Sequence, residues 1–458
     1  MAVRAEPASF RDPAGRVFYV DGEVLRGLGP GAADDWRALV ATEFFGRFVG
    51  AGKICETEEA SQRDDWALVL RHERIPFVSY PYEWSFAMLR DAALLHLEIL
   101  RAALDEGLTT KDGSAYNLQW RGAAPVFIDI GSFEPARDGE PWAGYRQFCQ
   151  TMLYPLMAQA HLGVDFQPWL RAAVDGIEPA QMRRLLGGGR RFKAGVLKHV
   201  HLHDAVQSRN AGESTRAVRA ELREAGFGAE LRKATVGAID KLVQRLDWQP
   251  PASHWSGYQQ TCTYSDEDRA AKAAFVDSAL STVDGLVLDL GANDGTYSRI
   301  AARHAKYVVA VESDAAVVDG LYRRLRADGE KRILPLVMDL ADPSPGIGWR
   351  GRERASFEQR AGQADAVLAL AVVHHLAIGR NVPLPEIVDW LAALGRRVVV
   401  EFVEPDDPMA RRLLANKPEG LFADYRRDAF EKLFAERFTV ERREQRSTRT
   451  LYCGLSRG

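Results

Sequence analysis

Cysteine is scarce in this chain of 458 residues: four, at Cys55, Cys149, Cys262 and Cys453, with no CxxC pair and no metal-type spacing. That excludes a disulfide-stapled scaffold and a zinc-finger arrangement, and it leads us to expect free thiols in a reducing cytoplasm. Long apolar runs are missing as well. The run Ala366 to Val373 falls far short of the roughly 18 apolar residues of a membrane span. The N-terminus MAVRAEPASFRDPAGRV lacks the apolar stretch of a secretory signal, so the expectation is a soluble, cytoplasmic protein with no membrane partner. Neither sign of charge dominates: 60 Lys and Arg stand against 63 Asp and Glu, a formal net charge of -3. Nucleic acid is therefore not an expected partner, and the locally basic stretch Arg183 to Lys198 reads as a solvated helix face. No cluster of metal-ligating residues and no internal repeat stands out.

What is present is an ordinary globular composition, 46% hydrophobic and 27% charged. The length exceeds what one core normally organises, so two domains are expected. From about Asp266 onward the chain alternates between helical stretches and short β-branched runs: GLVLDL (285–290), YVVAVE (307–312), ILPLVMD (333–339), DAVLALA (365–371) and RRVVVEF (396–402). Such runs are what strands buried on both faces of a parallel sheet require, and the alternation predicts a doubly wound α/β domain over 266–458. TVERREQ (439–445) and TRTLYCGLS (448–456) predict an antiparallel hairpin after the helix DAFEKLFAERF (428–438). Residues 1–187 have no such rhythm and predict an α+β domain: a strand RVFYVDG (16–22), a helix WRALVATEFFGRFV (36–49), a helix from Ser85 to Glu106, and two short strands LQW and VFID. A helical, charge-rich connector with an aromatic segment fills 188–265.

The most informative stretch is VLDLGANDGTYS (287–298). A buried strand ends at Asp289, a turn bearing Gly291 and Gly295 follows, and a helix begins near Thr296. The glycines would let backbone approach a ligand at the carboxyl end of the first strand, where open α/β sheets bind ligands. A dinucleotide site carries three glycines around a pyrophosphate. Here Asp289 and Asp294 would repel pyrophosphate and suit an ammonium or a sulfonium. Glu312, 23 residues after Asp289, stands where a strand-end carboxylate accepts from a ribose diol. Asp339 would accept from an adenine amino group, with Met338 packed on the ring.

Residues 266–458 resemble a class I S-adenosylmethionine-dependent methyltransferase, in the glycine-rich first motif, the ribose acid and the adenine motif. The resemblance implies a Rossmann-like seven-stranded sheet with a reversed last hairpin and S-adenosyl-L-methionine as cofactor, leaving S-adenosyl-L-homocysteine. It implies Asp289, Leu290, Gly291, Asn293, Gly295, Glu312, Met338, Asp339 and Leu370 as the cofactor set. The acceptor, a small molecule or biosynthetic intermediate methylated on O or N, would sit after the fourth strand. There His374 or His375 would take a proton, and Glu401 or Glu404 would orient the acceptor. Methyl transfer is an in-line displacement in which positioning supplies much of the rate, and no metal is expected. Trp255, Tyr258 and Tyr264, just before the domain, would form a lid over the site or staple the two domains.

In the N-terminal half, Asp112 precedes Asn117 by five residues and Asp129-Ile130-Gly131 follows twelve residues later. This spacing resembles the catalytic loop and metal-binding D-x-G of protein-kinase-like and small-molecule kinase folds. No glycine-rich phosphate loop and no V-A-I-K lysine accompany it, Lys53 being the nearest candidate. The resemblance implies a degenerate kinase-like domain aiding substrate recognition. The alternative it leaves open is a bifunctional enzyme using Mg-ATP at Asp112, Asn117 and Asp129.

Overall fold

A computed structural model describes residues 3–61, 63, 66–137, 140–202, 228–250 and 265–457. The chain forms two units. The first comprises Met1–Trp120, Pro125–Pro250 and Gly346–Arg354; the second comprises Arg121–Ala124, Pro251–Pro345 and Ala355–Gly458.

The first unit opens with strands β1 (Val3–Ala5), β2 (Gly15–Val20), β3 (Glu23–Leu28), β4 (Thr57–Glu59) and β5 (Leu68–His72), which form an antiparallel sheet in the order β1-β2-β3-β5-β4. Asp21 and Gly22, both at positive φ, turn β2 tightly into β3, as two-residue hairpin loops require. One face of the sheet buries Phe18, Val20, Leu25 and Val69, with Trp66 packed against them. The sequence predicts one helix over 36–49, but the chain makes two, Pro30–Val40 and Glu43–Gly50. The break has a local cause. Glu106 accepts hydrogen bonds from the amides of Glu43 and Phe44 at 2.7 and 2.9 Å, starting a second helix where the first would have run on.

The helix Phe86–Asp105, capped by Ser85, is apolar on nearly every face and buried accordingly. Short strands β6 (Leu108–Thr110), β7 (Leu118–Arg121), β8 (Ala124–Phe127) and β9 (Phe133–Pro135) follow, β6 pairing with β9 and β7 with β8. The helix Ala229–Arg245 packs along Phe86–Asp105. By that packing the residues up to Pro250, which the sequence reading sets apart in a connector, fall within the first unit.

The second unit contains β10 (Leu286–Leu290), β11 (Tyr307–Glu312), β12 (Ile333–Val337), β13 (Ala364–Ala369), β14 (Gly395–Val403), β15 (Phe438–Arg446) and β16 (Arg449–Ser456). Their order is β12-β11-β10-β13-β14-β16-β15, parallel except for β16, which runs antiparallel to both its neighbours. This is the seven-stranded sheet with a reversed final hairpin that the sequence resemblance implies, and each predicted strand is present within about two residues of its expected bounds. β11 and β13 lie on opposite sides of β10, so the chain reverses direction across the sheet at β10, creating the switch-point crevice in which open α/β sheets hold ligands.

Cys55, Cys149 and Cys453 are buried thiols; Cys262 lies outside the described residues, as do Trp255, Tyr258 and Tyr264. Among the described residues, no helix is long and apolar enough to cross a membrane.

Candidate cofactor and acceptor site

Asp289, 2% exposed near the end of β10, accepts a 2.6 Å hydrogen bond from the Ser298 hydroxyl in the first turn of the following helix. Burial pushes its carboxyl up to about 6, against the opposing pull of the Ser298 hydroxyl and the Lys272 ammonium. Leu290 beside it is fully buried. The turn that follows needs its glycines for a reason the sequence reading did not supply. Gly291 and Gly295 have φ of 76° and 81°. A Cβ at 291 would stand 2.7 Å from Val372 Cγ2, and one at 295 would stand 2.6 Å from Leu321 Cδ1. The loop is thus seated on the protein's own side chains, with Asn293 also held at positive φ.

Glu312 closes β11 and is tied to that loop. Its Oε2 accepts from the Asn293 amide at 3.2 Å, and its Oε1 accepts from the amides of Ser313 and Asp314 at 2.6 and 3.2 Å. Met338 and Asp339 follow β12. Met338 is buried, its sulfur 3.3 Å from the Ser344 amide. Asp339 accepts from the Ala341 amide at 3.0 Å and pairs through its other oxygen with Arg380, a partner the sequence reading did not foresee. The register sets Asp289 opposite Ala310 and Glu312 opposite Val337 on adjacent parallel strands, so the three acids line one edge of the sheet. Leu370, just past β13, is buried.

His374 and His375 follow β13, their rings 4.1 Å apart. His374 is fully buried and neither ring nitrogen has a hydrogen-bond partner. Burial is the main cause holding it well below its usual 6.5, with the charges of His375, Arg449 and Lys272 adding to it. Burial and Arg449 lower His375 to about 4. Both imidazoles are therefore neutral at physiological pH.

Glu401, 1% exposed on β14, is engaged by two buried cations. Lys272 Nζ donates to its Oε2 at 2.6 Å, and Arg449 Nη1 stands 3.8 Å from its Oε1. Arg449 in turn makes a two-pronged bond to Asp407, at 2.9 and 3.2 Å. Lys272 also lies 4.9 Å from the ring centroid of Tyr297, in the helix that follows the glycine turn. Sequence reasoning missed both cations. Lys272 had a signal: it falls on the apolar stripe of the helix Asp266–Leu280, in line with Phe275, Val276, Ala279 and Leu280. Glu404 pairs with Arg427 at 3.3 Å, and burial raises its carboxyl above the ordinary range.

In the first unit, Asp112, Asn117 and Asp129 come together. Asn117 accepts from the Ile128 amide at 2.9 Å through its backbone carbonyl, and its buried side-chain nitrogen has no hydrogen-bond partner. Burial, followed by the charge of Asp129, raises Asp112 above the usual carboxylate range. The cation beside Asp129 is Arg26 of β3, donating at 2.8 Å, and a Cβ at Gly131 would collide with that guanidinium. Lys53 is elsewhere, paired with Glu98 at 2.5 Å. Among the described residues, no group of three or more His, Cys, Asp or Glu is arranged to hold a metal ion.

No family model matches the chain. Among solved structures, magnesium protoporphyrin IX methyltransferase (ChlM) from Synechocystis PCC 6803 with bound SAH aligns with a TM-score of 0.31 at 16% identity, covering 45% of this chain and 95% of that one. The N-methyltransferase NodS from Bradyrhizobium japonicum WM9 in complex with S-adenosyl-L-homocysteine aligns with a TM-score of 0.30 at 13% identity, over 43% of this chain and 90% of that one. A far longer match is to the nodulation protein NoeA of Rhizobium meliloti (strain 1021), 33% identical over 455 residues, 97% of this chain and 94% of that protein. The chain accordingly belongs to the family of NoeA.

Proposed function

We propose that the chain is an S-adenosyl-L-methionine-dependent methyltransferase acting on an oxygen or nitrogen of a small-molecule acceptor. The observation that carries this reading is the row of Asp289, Glu312 and Asp339 at one edge of three adjacent parallel strands, with the glycine turn tied to Glu312. These residues fit the cofactor's groups: carboxylates for an ammonium, a ribose diol and an adenine amine, and a buried methionine for the ring. When bound, the cofactor supplies an electrophilic methyl carbon. The chain's part is to hold the acceptor atom in line with it and to keep competing water away. Of the paired histidines, His375 is the candidate to receive the acceptor's proton, because His374 has no exposed surface. The first unit would contribute acceptor recognition. A setting in nodulation is proposed for this chain on the name of its relative alone. Titration calorimetry of the full chain with S-adenosylmethionine tests the reading, and absence of binding heat would overturn it.

A second reading, phosphotransfer from Mg-ATP in the first unit, is favoured by one observation: the unpartnered, buried amide nitrogen of Asn117 beside the Asp112 and Asp129 loops. Against it stands Arg26, which already engages Asp129. Calorimetry with Mg-ATP on the same sample separates the two readings, since each predicts heat from its own ligand.

A further inference from the structure

Beyond the cofactor edge, the second unit holds a cavity of about 210 Å³ whose lining includes Lys272, Glu401, Asp407, Thr448 and Arg449. We propose that this cavity receives the methyl acceptor and that the acceptor is a neutral, polyhydroxylated molecule, methylated on oxygen; the proposal rests on the methyl-transfer reading above.

The first argument is location. Lys272 belongs to both places: its ammonium bonds to Glu401 in the cavity wall, and it stands against Tyr297 in the helix that opens with the glycine turn. The same ammonium is close enough to act electrostatically on Asp289 and on His374. An acceptor in this cavity therefore lies beside the cofactor edge.

Charge is the second argument. Lys272, Glu401, Arg449 and Asp407, each more than nine-tenths buried, alternate in sign along one chain of ion pairs. Within this buried chain two cations and two anions cancel; Asp268, a half-buried carboxylate of the same lining, stands close enough to Arg446 to act on it electrostatically. An anionic ligand would have to displace Glu401 or Asp407 from its cation, and a cationic ligand would have to displace Lys272 or Arg449. Either exchange leaves a buried charge without its partner, the costly outcome for such pairs. A neutral ligand disturbs none of them and meets a wall with both donors and acceptors. Thr448 donates to Asp407 at 2.7 Å and keeps its own oxygen as an acceptor. At the rim, Glu444 and Arg446 are likewise paired, at 2.8 Å.

Size is the third. About 210 Å³ is small by the standard of drug-sized ligand sites and suits a single ring. A second cavity of about 400 Å³ shares Ser447 and Thr448 with the first and is walled further out by Glu404 and Arg427, themselves paired. A chain of hydroxylated rings, one inside and its neighbours in the outer cavity, fits this sequence of spaces. In the reaction the ring's hydroxyl oxygen forms a bond to the methyl carbon, the carbon–sulfur bond breaks with its electron pair returning to sulfur, and the hydroxyl proton passes to the neutral imidazole of His375.

Saturation-transfer NMR on the full chain tests this, after calorimetry has established S-adenosylhomocysteine binding on the same sample. Three pools are compared: neutral mono- and disaccharides, the corresponding sugar phosphates and uronic acids, and amino sugars. The expected result is saturation of ring protons in the neutral pool, weakened about two- to tenfold in Thr448→Val, the size of one lost hydrogen bond. Saturation confined to the charged pools, or none in the neutral pool while S-adenosylhomocysteine binds, overturns the proposal. Absence of S-adenosylhomocysteine binding overturns the methyl-transfer reading instead.

Discussion

The acids of the two units are held by different means. In the second unit Glu312 is fixed by backbone amides and Asp289 by a hydroxyl one turn into the adjoining helix, a local fixation that Asp339, paired with Arg380, does not share. In the first unit Asp129 is held by Arg26, a side chain 103 residues away in sequence. Local fixation leaves a carboxylate rigid without cancelling its charge, which suits recognition of a cationic ligand. A distant cation cancels the charge it positions. The difference teaches that acids at the right spacing mean little until their partners are known.

The comparison can be broken experimentally. Glu401→Ala takes from buried Lys272 the carboxylate it bonds at 2.6 Å, while Arg449 keeps Asp407, and should cost the second unit about 3–5 kcal/mol. Urea unfolding of the full chain, followed by hydrogen exchange in β14 and β16, would register it. Asp289→Ala and Glu312→Ala should each weaken S-adenosylmethionine binding by about 1–3 kcal/mol in calorimetry, the scale of a lost hydrogen bond to a charged group. Asp129→Ala should leave that affinity unchanged; an equal loss would mean that the two acid sites are not separate.

Acidity sharpens the contrast further. Asp289 titrates at about 6, so below that pH it takes up a proton and can no longer pair with the cofactor's ammonium. Affinity should fall by up to about tenfold per pH unit. His375, held near 4, contributes no inflection between pH 5 and 8. Its linkage runs the other way from that of a paired histidine. Because the folded state refuses a proton that the unfolded state accepts below 6.5, it removes stability as pH falls toward 4. A cofactor-affinity profile centred near 6.5 that vanished in His375→Gln would reverse the assignment. The smallest effect is expected from Arg26→Ala. Its pair with Asp129 is partly solvated, so exchange of the β3 amides should report a loss of only about 1 kcal/mol.

Much of the second unit is readable from sequence because its central strands are covered on both faces, and β11 and β12 therefore appear as apolar runs, interrupted only by Glu312 at the end of β11. The first unit hides its sheet. β1 is Val-Arg-Ala and β4 is Thr-Glu-Glu, three residues each, with no alternation to detect. The acids proposed to hold the cofactor are visible because strand ends mark them. The ion-pair chain is less so: Lys272 betrays itself by sitting on an apolar stripe, whereas Arg449 and Asp407 become partners only once β16 is laid against β14. Arg26 carries no local signal, since nothing in a half-exposed strand distinguishes it from the arginines around it.

The antiparallel placement of β16 has a consequence in time. The last strand of the sheet in sequence sits inside it, between β14 and β15, and delivers Arg449 to the buried ion pairs. A growing chain can therefore assemble β10 through β14 and shape the cofactor edge while the acceptor cavity still lacks a wall. The cavity closes only after residues 449–456 have left the ribosome and threaded into place. A nascent chain stalled before that point would be expected to bind cofactor with no means of holding an acceptor.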